Sequence, residues 1–169
     1  MQRRIPLLAF AAVAAIALFA AACGGTGSSG LYGSSTPASS AAAPAAAAAK
    51  VAVGSTGLGN IVVNSTGRTL YLFEKDSSGK SMCDGACAAY WPPLISSGKP
   101  IAVEGAKASL VGTIKRADGS VQVTYAGHPL YLYAGDQQAG QTNGQGSTEF
   151  GAGWDALRPT GDKIESAQS

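Results

Sequence analysis

The chain has 169 residues, 46% of them apolar and only 13% charged, with 23 glycines. Its formal net charge of +2 comes from 12 basic and 10 acidic residues, and Arg3 and Arg4 stand at the very start. Without those two arginines the charges balance, so a basic footprint for nucleic acid is excluded and no nucleic-acid partner is expected.

"MQRR" followed by "IPLLAFAAVAAIALFAAAC" has the charged start, apolar middle and small residues of a secretory signal. The apolar run is also close to the roughly 20 residues that span a bilayer, which leaves an uncleaved membrane anchor as the alternative. "AAAC" at 20–23 resembles a bacterial lipobox, with Ala20 where that pattern favours Leu. The resemblance implies a signal peptide over 1–22 and a lipid-modified Cys23 as the mature N-terminus. Residues 23–50 then form a linker of Gly, Ser, Ala, Thr and Pro, too poor in large apolar groups to offset chain entropy. The alanine run near its end is short and carries Pro44, which argues against a stable helix. Such a tether spans about 30 Å root-mean-square.

Residues 51–161 make one domain, followed by a tail over 162–169. Within the domain "GRTLYLFEKD" at 67–76 returns as "GHPLYLYAGD" at 127–136, an offset of 60. "WPPL" at 91–94 returns as "WDAL" at 154–157, an offset of 63. Two copies are too few for a solenoid, so the repeats, over 57–98 and 117–160, are expected to complete one pseudo-symmetric core. Runs of β-branched and aromatic residues around "NSTGR", "AGH" and Asp118-Gly119 read as hairpins, the last with a two-residue turn. In each motif strand the leucines fall on one face and Tyr71/Phe73 or Tyr131/Tyr133 on the other, so both faces should be buried. "CDGACAAYW" suggests one short helix. The expected fold is mainly β.

Tyr71-Leu-Phe73-Glu-Lys-Asp76 and Tyr131-Leu-Tyr133-Ala-Gly-Asp136 resemble the secreted bacterial lipoprotein repeat marked by Tyr-x4-Asp, or Yx(F/W/Y)xxD. The resemblance covers about residues 57–160. It implies location and organisation, and no reaction.

Several residues offer chemistry. Asp76 and Asp136 close the motif strands as turn caps, as acceptors for a buried Tyr hydroxyl, or as carboxylates of a ligand site. Trp91 and Trp154 read as core aromatics, or, if exposed, as a stacking platform. With Cys23 acylated, Cys83 and Cys87 are the remaining thiols in an oxidising compartment, and a disulfide through a distorted turn at Gly85 is expected. The alternative is a copper(I) thiolate pair with His128, the one histidine. No Gly-x-Ser-x-Gly, Walker A or His-Glu-x-x-His pattern is present. The expectation is therefore a non-enzymatic, lipid-anchored binding or structural module of the cell envelope, without a cofactor. It is held to membrane lipid through Cys23 and engages an unidentified envelope ligand or protein. The alternative is extracytoplasmic metal or redox handling.

Overall fold

The structure, a computed structural model, describes residues 47–165. The signal segment, Cys23, most of the linker and the last four residues of the tail lie outside the described residues.

The described residues form eight strands, one short α-helix and two 3-10 turns, so the fold is mainly β. Strand β1 (Lys50–Thr56) pairs antiparallel with β2 (Gly59–Asn64), Val53 opposite Val62. Pairing thus begins at Lys50, where the linker composition ends, and puts a strand ahead of residue 57. After β3 (Tyr71–Phe73) and helix α1 (Gly85–Tyr90), strand β4 (Ile101–Ala102) lies parallel to the outer edge of β1. The second repeat opens the same way, with β5 (Val111–Lys115) against β6 (Val121–Tyr125) and Thr113 opposite Val123. β7 (His128–Pro129) and β8 (Trp154–Ala156) complete it.

The turn joining β5 and β6 differs from the expected two-residue form. Gly119 N–H reaches Arg116 C=O at 3.0 Å, and Arg116 N–H reaches Ser120 C=O at 2.9 Å. Ala117 and Asp118 therefore occupy the turn, and Gly119, at φ +85°, is the extra residue in the left-handed region that corrects the twist.

The repeats are interlaced. β8 of the second repeat pairs antiparallel with β3 of the first, Leu72 opposite Asp155, and Val62 N–H donates to Leu157 C=O at 2.8 Å. In mirror fashion the first repeat's return segment lies along the second: Val123 N–H donates to Leu94 C=O at 2.9 Å, and Leu132 N–H to Pro92 C=O at 2.8 Å. Where the halves meet, Tyr71 and Tyr131 exchange both main-chain bonds, at 2.8 and 3.0 Å. That pair marks the pseudo-twofold axis.

Side-chain alternation then separates two cores, one on each side of the motif strands. Leu70, Leu72 and Leu130 enter an aliphatic cluster with Val62, Val123, Tyr125 and Leu157. Tyr71, Phe73 and Tyr131 enter an aromatic cluster with both tryptophans and both domain cysteines. Ile164, expected in the tail, is buried in the aromatic cluster, and its N–H bonds Ala156 C=O at 2.8 Å.

Candidate functional site

The motif residues meet across the axis. Tyr71 donates its hydroxyl proton to Asp136 Oδ2 at 2.7 Å, and Tyr131 donates to Asp76 Oδ2, also at 2.7 Å. Each tyrosine serves the aspartate of the other repeat. The second carboxylate oxygen accepts a main-chain N–H from the loop beyond its own strand: Met82 to Asp76 Oδ1 at 2.7 Å, Asn143 to Asp136 Oδ1 at 2.9 Å. Turn capping and acceptance from tyrosine are thus combined in one side chain. Burial, followed by the neighbouring carboxylate, pushes both phenols far above their ordinary range, so both are neutral donors. Asp76, only half-buried, also titrates high; burial raises it, and the bonds from Met82 and Tyr131 pull the other way.

The aromatic rings follow the same symmetry. Trp154 stacks on Phe73 of the first repeat at 4.1 Å between centroids, and Trp91 packs on Tyr133 of the second at 4.5 Å. The two indoles stack on each other at 3.9 Å, with Tyr71 and Tyr131 edge-on to their own repeat's Trp. Both tryptophans are fully buried. Each such pair adds about 0.5–1.5 kcal/mol beyond area burial, so Trp91 and Trp154 are core residues and form no exposed platform. Their indole N–H groups both end on Glu149, one on its carboxylate and one on its carbonyl.

Around the two hydroxyls the symmetry breaks. Beside Tyr71 the loop brings Gly144, whose N–H approaches the hydroxyl at 3.3 Å. Beside Tyr131 stands Ser81 Oγ at 2.7 Å, itself bonded to Arg116 Nη1 at 2.7 Å. Arg116 is buried, and it also donates to Gln122 Oε1 and Cys83 C=O. Gln122 and Thr124 stand where the first repeat has Ile61 and Val63, which gives this half a polar interior. The Arg116 network was not foreseen. An arginine next to a turn reads as a solvated charge, and only the unusual Gln122 in a β-branched strand hinted otherwise.

Cys83 and Cys87 form a disulfide, with Cα atoms 5.2 Å apart, and both are buried. Gly85 between them, the first residue of α1, takes φ +49°, which permits the tight turn at the start of that helix. The alternative metal set of Cys83, Cys87 and His128 is not assembled: the thiols are bonded to each other, and among the described residues no three His, Cys, Asp or Glu come together. His128 is exposed and borders an open cleft of about 510 Å³ with Asp76, Glu74, Asp162 and Lys163. Glu74 is paired to Lys163, whose hydrogen bond holds its carboxyl below the usual range. The Gly-rich loop 140–153 brings Gly144 against the buried rings of Trp91 and Tyr71. Among the described residues no helix is long and apolar enough to cross a membrane.

No curated protein and no solved structure matches the chain. A family model described as a secreted repeat of unknown function matches it twice, at residues 52–95 and 112–158. Each match takes in one hairpin, one motif strand and one Trp-x-x-Leu segment, and together they cover more than half of the chain; it belongs to this family of secreted repeats.

Proposed function

We propose that the mature protein is a lipid-anchored module of the cell envelope, held by an acylated Cys23, whose domain binds or scaffolds and performs no catalysis. The observation that carries the non-enzymatic reading is the reciprocal bonding of Tyr71 to Asp136 and Tyr131 to Asp76. The side chains with the most reactive potential in the repeats are engaged with each other, and the phenols are kept neutral. The closed, buried Cys83–Cys87 pair favours a structural use of those cysteines over metal handling. Membership of a secreted family and the lipobox-like "AAAC" support the location.

The test is fractionation of cells producing the full chain or Cys23→Ser, with mass spectrometry of the mature N-terminus. An N-terminus at an acylated Cys23, and release of Cys23→Ser from the membrane, are expected, because a polar linker has no membrane affinity of its own. Tight membrane association with residues 1–22 still attached overturns the lipid anchor.

A further inference from the structure

The pseudo-symmetry that pairs the repeats leaves one strand position without a counterpart. Val62 and Val123 are equivalent, each donating to the leucine of the other repeat's Trp-x-x-Leu segment. Their partners Val53 and Thr113 are therefore equivalent too. On β1 the edge at Val53 is covered by the β4 segment: Ile101 N–H reaches Ala49 C=O at 2.9 Å, Val103 N–H reaches Val51 C=O at 2.8 Å, and Val53 N–H reaches Glu104 C=O at 3.0 Å. The residue matching Ile101 at the offset of 63 is Ile164, and that segment turns back onto Ala156. Among the described residues, nothing pairs with the outer edge of β5. Its neighbours along the chain settle which groups point outward. Arg116 bonds Ser120 and Leu110 bonds Ala126, so the even positions face β6 and Thr113 faces away.

At that position an open cleft of about 620 Å³ runs between β4, at Ile101–Ala102, and β5, at Val111–Thr113. Ile101 is 46% exposed there, and Val121, 38% exposed, lines an adjoining cleft that also meets Thr113. Lys99 lines the cleft, Lys115 is the last residue of β5, and Lys107 precedes the 3-10 turn that leads into it. Two copies pairing through β5 would bring like charges together, whereas carboxylates beside an apolar strand would complement them.

We propose that the outer edge of β5 is a docking site for an extended apolar peptide segment with flanking carboxylates, supplied by another envelope protein and added as β4 is added to β1. Main-chain bonds to Thr113 and to the Val111 carbonyl supply register, and the apolar walls select small branched side chains. This names the partner class of the binding-module reading and rests on it.

The probe is a fluorescein-labelled peptide with two glutamates ahead of the internal β4 sequence PIAVE, titrated by anisotropy into the full mature chain. Saturable binding that weakens with salt is expected. Thr113→Pro removes the donor at an edge position that tolerates proline, and should weaken binding about tenfold. Amide exchange on the unmodified protein provides a readout independent of that variant: the Thr113 N–H should slow on peptide addition. Absence of binding, an unprotected Thr113 amide, indifference to Thr113→Pro, or self-association that excludes the peptide overturns the proposal. Anchoring is read separately at Cys23, so a silent peptide removes the docking edge and leaves the anchor standing.

Discussion

Tyr71 and Tyr131 face each other as a doubly hydrogen-bonded main-chain pair while their hydroxyls reach in opposite directions to Asp136 and Asp76. The ten-residue motif therefore occurs twice because one copy is half of a reciprocal lock. Each tyrosine needs the aspartate that the other copy provides.

The two halves of the lock should differ in strength. Asp136 is 1% exposed, and Tyr71→Phe leaves its inner oxygen without the hydroxyl donor. A loss of about 2–3 kcal/mol is expected by urea denaturation, the cost of an unsatisfied buried acceptor. Tyr131→Phe should cost less, about 1 kcal/mol, because Asp76 is half-buried and water reaches it. Equal losses would show that exposure does not set the cost.

Asp76 should leave a signature in the pH dependence of stability. Its carboxyl titrates higher folded than unfolded, so between those two values the native state binds more protons. Stability from this group is therefore largest at low pH and falls as pH rises through the window. Asp76→Asn removes that contribution. Relative to the variant, the unmodified protein should gain stability as pH is lowered through the carboxylate range. The lowered carboxyls of Glu74 and Asp118 work in the other direction, but they are common to both proteins and cancel in the comparison. A difference that is flat with pH would refute the assignment.

Gly144 is required for close approach. A Cβ there would lie 2.8 Å from Trp91 Cη2 and 3.0 Å from Tyr71 Cζ, against two rigid buried rings. Gly144→Ala should destabilise by about 1–3 kcal/mol through overpacking and alter the near-ultraviolet circular dichroism of the stacked indoles. An unchanged melting point would mean that the loop can back away.

The disulfide closes a short loop, so its removal should be mild. Cys83→Ser with Cys87→Ser is expected to cost about 1–3 kcal/mol and to leave the far-ultraviolet β signature intact. Thiol titration of the secreted protein under denaturing conditions should find Cys83 and Cys87 oxidised. Two titratable thiols there would return the metal reading to consideration.

Much of this architecture could be read in advance, for identifiable reasons. The offset of 60 exposed the repeat, and alternation within "LYLF" showed a strand buried on both faces, whereas "LYLY" forms only isolated bridges at Tyr131 and leaves Leu132 and Tyr133 half-buried. Counting thiols in an oxidising compartment pointed to Cys83–Cys87. What stayed hidden was partnership. Periodicity states that Tyr71 and Tyr131 are equivalent, but it cannot say that each bonds the other copy's aspartate, nor that Trp154 stacks on Phe73. The Asp118-Gly119 dipeptide was correctly a turn, yet the turn gained a residue because Arg116 pairs with Ser120. Arg116 itself is buried through bonds to Ser81, Gln122 and a carbonyl far away in the chain, a set that no local pattern announces.

The pairing of β3 with β8 also has a consequence for folding. Residues 71–73 find no strand partner in β8 until residues 154–156 are present. The first repeat can form its β1–β2 hairpin alone, but β3 stays without its β8 partner until the second repeat is complete. Contacts this distant in sequence make closure slow, because the loop must be gathered before it is rewarded. Commitment to the native state is therefore deferred until almost the whole domain is available, which ties the two halves of a secreted repeat into a single folding unit.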